Sequence, residues 1–599
     1  MCIVCNPGLF SFLKQGASSR REFFKLGGAL GSAALLPQSA FAVDQAADTI
    51  FTNGTVITMN PARPDAQAVA VRSGRIIAAG SMDEVAKLKG DATVVVDLAG
   101  KTLLPGFVDP HIHYTFAFLD NWLDLGPFAN RSMTEVKAKL VTAIAAATPG
   151  DWVMGQLFDP TITAGQLDYS IEALDALSPV YPVFMLEANG HIAHVNSAAF
   201  KAAGISSATP NPAHGRFVRD SQGKLTGQVE ETQAISAFAS HAPHINGEQY
   251  LANVGRFFAM ASSKGCTTLH DCGVGAIDPQ GDFGVLKAAM AQNPPVRMSA
   301  YLVSTAMETW KKLGLKPDNS SEHLRINGVK AWVDGTNQGG SGYQREPYLV
   351  AEWKNGAPNY TQADLNAVVL AAHNDGWQVG IHANGDAGID MALNAFGAAQ
   401  ASNPRRDMRH RVEHSTVCHP EQLEKMKQLG VSPSFLIGHV YYYGAIFRDK
   451  IFGPRRAGMI DPCRTALEKG LRISLHSDYN CQPIEPIRYI HNAVTRNIRN
   501  TNQQLNTAET ITVMQAIRAV TLDAAWQCQM DDIVGSIETG KCADFVVLTR
   551  DPRKVAPMDI LNISVSETWM GGVRRYAAQA AVARNKWPVR RGSNPRPSA

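Results

Sequence analysis

Cysteine is scarce, with nine in 599 residues. Cys2 and Cys5 fall in a segment that reads as a removable address, and the other seven form an odd set without compact spacing. No disulfide framework is therefore legible. A long apolar run is also missing. The Gly/Ala/Leu stretch after Lys25 is too short and too glycine-rich to span a bilayer, so no stable membrane anchor is expected. There is no repeat of fixed period and no low-complexity linker. The body of the chain is short of positive charge as well. The formal charge is +3, but residues 1–42 carry a net +3 and residues 584–599 carry five Lys/Arg and no acid, which leaves −5 for the rest. No basic patch for nucleic acid is implied.

With 45% hydrophobic and 18% charged residues, the chain is an ordinary globular one that can bury a large core, as two domains or as one barrel with additions. Residues 1–42 contain "SSRREFFKLGGALGSAALLPQSAFA", in which Arg20-Arg21 precede a mildly apolar run and the small-residue site Ala40-Phe41-Ala42. This resembles a bacterial twin-arginine export signal, and implies a periplasmic or exported protein. Residues 43–104 show short alternating segments, such as "IFTNGTVITM" and "ATVVVDLAGKTLLPG", with Asn-Gly and Ser-Gly turns between segments. The stretch 535–580 repeats that texture in "GSIETGKCADFVVLTRDP", so the two ends are expected to meet in one small β-sandwich. Between them, residues 105–534 alternate strand-like runs with helical stretches. Eight strand candidates follow in order: "TLLPGFVDPHIHY", "CTTLHDC", "VRMSAYLV", "GVKAWVDG", "WQVGIHANG", "RHRVEHS", "GVSPSFL" and "LRISLHSDY". Eight βα units imply an α/β fold, a (β/α)8 TIM barrel with its chemistry at the C-terminal strand ends. A long insertion at about 115–260 separates the first two strands, and residues 581–599 form a basic tail expected to be disordered.

"LLPGFVDPHIHY" places His111 and His113 at alternate positions. Side chains at i and i+2 of a strand point the same way, so both rings can reach one ion. With 17 histidines in the chain the pair alone is a weak signal, and further ligands must be found. His382 closes "QVGIH", His414 closes "HRVEH" and Asp478 closes "ISLHSD", each a metal-competent side chain at a different strand tip. Lys330 lies inside "GVKAWVDG", where burial requires a partner or a covalent change. Each has a plainer reading: a strand histidine is more often a core residue, Asp478 fits a helix N-cap, and Lys330 fits an ion pair.

In "LPGFVDPHIH", "GHIAHVNSAAF", "GVKAWVDGT", "VGIHANGDAGID", "RVEHS", "LHSDYN", "AVTRN" and "GSIETGKCADFVVL" the chain resembles the amidohydrolase superfamily, in particular the amidohydrolase-3 branch that includes N-substituted formamide deformylases. The resemblance implies a divalent metal, expected to be zinc, as one or two ions. His111 and His113 match its first-strand pair, Lys330 its often carboxylated strand-four lysine, His382 and His414 the histidines of strands five and six, and Asp478 the strand-eight aspartate. It further implies hydrolysis of a carbon–nitrogen bond outside peptides, with Asp478 as base toward a metal-activated water. Deamination of a heterocycle is the alternative chemistry, and a non-catalytic binding or regulatory protein on the same scaffold the alternative class. "GVKAWVDGTNQGGSGY" and "GHVYYYG" depart from commoner members, so the substrate does not transfer. A small amide-like molecule is the expected partner. The aromatic stretches "TFAFLDNWLDLGPF" and "HVYYYGAIF" fit an apolar pocket as well as they fit core. His191, Tyr343 and His439 are candidate substrate contacts, with His191 and His194 at i, i+3 facing one way if the segment is a helix. The oligomer, a homodimer among the options, stays open.

Overall fold

The computed structural model describes residues 46–188, 190, 192–212, 215–230, 232–239, 241 and 245–579. Residues 1–42, expected to be an export signal, the tail 581–599 and His191 lie outside the described residues. Eight parallel strands form the central sheet: Phe107–Ile112 (β1), Cys266–Val274 (β2), Arg297–Val303 (β3), Leu324–Trp332 (β4), Gln378–Ala383 (β5), Arg411–His414 (β6), Ser432–Phe435 (β7) and Ser474–Leu475 (β8). Their spatial order is their chain order. Most are buried along their whole length, which is why they read as near-continuous apolar runs. β8 meets β1 just past its own end. Asp478 N donates to His111 O at 3.0 Å, and His113 N donates to Tyr479 O at 2.8 Å. The result is a nearly closed (β/α)8 barrel whose helices, among them Gln362–Asn374, Asp386–Ser402 and Pro420–Leu429, cover the strands.

The barrel interior is packed at one level by Tyr301 of β3. A Cβ at Gly328 of β4 would lie 2.2 Å from that ring, and one at Gly380 of β5 2.5 Å from it. Only glycine lets the ring in from both sides.

Two further sheets use both ends of the chain. A six-stranded sheet runs, in spatial order, Val573–Ala577, Val565–Met570, Phe545–Leu548, Thr102–Pro105, Thr55–Ile57 and Asp65–Ala66. A four-stranded one contains Arg75–Gly80, Ala68–Arg72, Thr49–Thr52 and Val94–Asp97. Their inner faces share a core in which Phe51 meets Phe545 and Trp569 edge-on, with ring centroids 5.2 and 5.0 Å apart. Arg297 at the start of β3 ties this sandwich to the barrel through a buried bidentate pair with Asp544, at 2.7 and 3.1 Å.

The long segment between β1 and β2 has a sheet of its own, in the order Arg216–Arg219, Leu225–Glu230, Ile192–Val195, Val183–Glu187, Val153–Phe158 and Leu123–Asp124. This corrects the helical reading of the His191/His194 spacing. His194 stands on a strand, pairs in register with Met185, and places its Nε2 2.8 Å from Glu187 Oε1. Alternation along that strand, not helical spacing, decides which way the residue faces.

Candidate active site

The side chains singled out at the strand tips converge at the C-terminal end of the barrel, and His111, His113, Lys330, His382, His414 and Asp478 are all buried. Asp478 Oδ1 lies 3.2 Å from His111 Nε2 and 3.2 Å from His113 Nε2. A tetrahedral ion with bonds of about 2.0–2.1 Å holds its donors about 3.3–3.4 Å apart; both separations from Asp478 match this, and the three donors lie within 4.8 Å of one another, a group that could hold one divalent ion. Lys330 Nζ is 3.2 Å from His111 Nε2 and 5.5 Å from the Trp332 ring centroid. The His414 ring lies 4.9 Å from that of His111 and 4.5 Å from that of His382. Donor atoms of His111, His414 and His476 form a second group within 4.8 Å of one another. His382 belongs to no such group among the described residues, and its Nε2 lies 3.0 Å from Gly335 O and 3.0 Å from Asn384 Nδ2.

Backbone shape contributes to the convergence. His414 and Ser415 both adopt left-handed conformations, with φ of 70° and 46°, and Asp478 does so at 51°. The bend at the end of β6 lets consecutive residues Glu413 and His414 both approach His111, which strict alternation would forbid. Asp478 caps none of the described helices, and the next helix, Pro486–Thr495, takes Glu485 as its N-cap residue. Asp334, after β4, accepts backbone N–H groups from Asn384, Gly385 and Tyr343 at 2.8–3.0 Å and so fastens the β4 and β5 loops together.

Burial dominates the electrostatics. It holds His111 well below the usual histidine range, helped by the nearby Lys330 charge, and does the same to His476 and His439. These rings are neutral and offer lone pairs. Burial also pushes Asp109, bonded to Ser477 and Tyr489, and Asp334 up to about 7.

Of the substrate candidates, His439 is buried with Nδ1 3.3 Å from Thr416 Oγ1; that hydroxyl donates to Asn384 Oδ1 at 2.7 Å, and Asn384 reaches His382. Tyr343 is half-buried and held by its backbone, N to Asp334 and O from Gly388. Of the aromatic stretches, Phe116 is core beside His113, and the Tyr443 hydroxyl donates to Asp159 Oδ2 at 3.1 Å, joining the loop after β7 to the insertion.

Three buried neighbours went unmarked in the sequence: Arg411, Glu413 and His476. Glu413 Oε2 is 2.8 Å from His111 Nδ1, Arg411 grips Glu413, and His476 stacks on His111 with centroids 4.6 Å apart. The alternation in "LHSD" would have found His476, two residues before Asp478, whereas Arg411 and Glu413 stand out of alternation with His414 in "RVEH" and carry no such signal.

Residues 94–576 match the profile of the Amidohydrolase family. The chain is 29% identical over 544 residues to Protein LONG AFTER FAR-RED 3 of Arabidopsis thaliana, covering 88% of this chain and 92% of that protein. It is 27% identical over 541 residues to the N-substituted formamide deformylase of Arthrobacter pascens, covering 89% and 99%. Among solved structures it resembles an uncharacterized metal-dependent hydrolase from Pyrococcus horikoshii OT3, with a TM-score of 0.68 and 21% identity over 85% of this chain and 99% of that one. At that identity the likeness is one of fold.

Proposed function

This chain belongs to the amidohydrolase family, and we propose that it is a metal-dependent hydrolase of a carbon–nitrogen bond in a small amide or formamide-type substrate, outside peptides. The observation that carries the reading is the buried meeting of His111, His113 and Asp478 at the end of the barrel, with Asp478 Oδ1 3.2 Å from the Nε2 of each histidine and all three donors within 4.8 Å of one another. The deformylase among the relatives favours the formamide class. His111, His113, His382, His414 and Asp478 would hold the ion, zinc by the imidazole-rich character of the set. Bound there, a divalent ion supplies a water of lowered pKa and polarises the scissile carbonyl. Lys330, buried beside His111, serves as a ligand once it is carboxylated, because the carbamate replaces a repelling ammonium with anionic oxygens. The Asp478 carboxylate accepts the proton of the attacking water and returns it to the departing nitrogen. His439 and Tyr343 stand on the loops that rim the barrel and are the proposed substrate contacts, with His191 a third.

The test uses purified protein stripped with a chelator, reloaded with zinc, and offered N-formyl amines, N-acyl amines and amino-heterocycles. Metal-dependent release of amine and carboxylate is expected. Ammonia from a heterocycle would shift the reading to deamination. Full activity in metal-free protein would overturn it.

A further inference from the structure

We propose that Glu413, held by Arg411, is a positioning residue that fixes His111 as a ligand through Nε2 and directs the metal to that side of the ring. The proposal rests on the metal-centre reading above.

Glu413 and Arg411 are both fully buried on β6, and Glu413 lies 302 residues from His111 in the chain. An ionised carboxylate only accepts hydrogen bonds, so the 2.8 Å contact from Glu413 Oε2 places the imidazole proton on His111 Nδ1. The lone pair is then on Nε2, the atom that faces Asp478 and Lys330. Arg411 closes both sides of this contact. Its Nε donates to Glu413 Oε1 at 2.8 Å, and its Nη2 donates to Glu413 Oε2 at 2.7 Å and to Pro110 O at 2.8 Å. One guanidinium therefore grips the carboxylate and the carbonyl just before His111. The stacked His476 ring, inclined by only 18°, covers a face of the imidazole, and His476 Nε2 is itself directed at Ser434 O, 3.3 Å away. The ring is held at its edge and at its face.

Arg411 has a second effect. His111, Cys272 and Glu413 also bring donor atoms within 4.8 Å of one another, a spacing that could hold an ion. Arg411 Nη2 occupies that group, 2.7 Å from Glu413 Oε2 and 3.7 Å from Cys272 Sγ. A fixed positive charge there repels a cation and leaves the Nε2 side as the place to bind. An ion pair kept only for packing would be replaceable by uncharged side chains with no effect on metal. A carboxylate behind a ligating histidine typically changes metal affinity about 10- to 100-fold when it is lost.

The experiment measures zinc affinity of the full chain by competition with a chromogenic chelator. Glu413→Gln alone strands the Arg411 charge, so the informative variant pairs Arg411→Met with Glu413→Gln. It is expected to fold, by circular dichroism and melting, and to bind zinc about 10- to 100-fold more weakly. Glu413→Asp should recover part of the loss. A folded double variant with wild-type zinc affinity overturns the positioning role while leaving the metal centre intact; wild-type protein that takes up no divalent ion overturns both. Independently of how the variants fold, histidine-15N spectra of the metal-free wild type, with the His111 signal assigned by its loss in His111→Gln, should show the proton on Nδ1. A proton on Nε2 overturns the proposal.

Discussion

Asp478 is held in a left-handed conformation that few side chains tolerate, at φ 51°, with its carboxylate oxygen equidistant from two imidazoles. Such strain costs roughly 1–3 kcal/mol and persists where surrounding structure demands it. Asparagine accepts the same backbone conformation and nearly the same volume but cannot take a proton at neutral pH. Asp478→Asn is therefore expected to lower kcat by about two to four orders of magnitude with a small change in Tm. Measuring kcat, bound metal and melting on one sample checks this, and near-normal turnover would remove Asp478 from the chemistry. Asp282 tests burial in the same way, outside the cluster of His111, His113 and Asp478. It is buried in the first turn of the helix Pro279–Ala291 and accepts from the Ile277 and Asp278 N–H groups at 3.1 Å, yet burial pushes it up to about 7. Its pKa is raised on folding, so its favourable contribution is complete below the ordinary carboxylate range and is lost as pH rises toward 7. Asp282→Asn keeps the acceptor and removes the ionisation. The Tm of the variant minus that of the wild type should become more favourable between pH 5 and pH 8, and a flat difference would contradict the assigned shift.

At the scale of the element, the eight barrel strands were legible because burial on both faces leaves largely apolar runs, four of them ending at His113, His382, His414 or Asp478. Even β8, only two residues long in the structure, was marked by "RISLHSD". The sheet inside the insertion was not legible. Its strand Val183–Glu187 pairs with Val153–Phe158 on one side and Ile192–Val195 on the other, and spacing within one short segment does not reveal such partners. Glu413 was hidden for a related reason, since a buried charge takes its meaning from a partner, and His111 is on another strand. Glycine inside a strand was the one local sign of close approach. Gly380→Ala would press a Cβ to 2.5 Å from Tyr301 and 2.9 Å from Glu413 Oε1. Overpacking of this kind typically costs about 1–3 kcal/mol. The expected result is a lowered midpoint in urea together with weakened zinc binding, because the displaced groups lead to His111. An unchanged midpoint would mean the barrel interior yields more than its packing suggests.

Across the whole molecule, a buried ion pair joins the barrel to the sandwich beside the apolar contacts of Ile57, Leu104, Val546 and Leu548 with the barrel core. Arg297 begins β3 and Asp544 immediately precedes the strand Phe545–Leu548, and their side chains are only 3% and 2% exposed. Asp544 also accepts the Gly571 N–H at 2.8 Å, so it organises the turn between the last two strands of the six-stranded sheet. Removing one partner of a buried pair leaves the other charge desolvated and uncompensated, at a cost of about 3–5 kcal/mol, whereas removing both costs much less. Arg297→Met should therefore lower the unfolding midpoint sharply, and Arg297→Met with Asp544→Asn should recover part of the loss. The position of the pair makes a further demand. If it couples the two bodies, the single variant should expose the sandwich strands to hydrogen exchange before β4 and β5, because the sheets built around Phe51, Phe545 and Trp569 lose their buried charged tie to β3. Exchange that rises equally in both bodies would show that they unfold as one unit and that the pair is merely one contact among many.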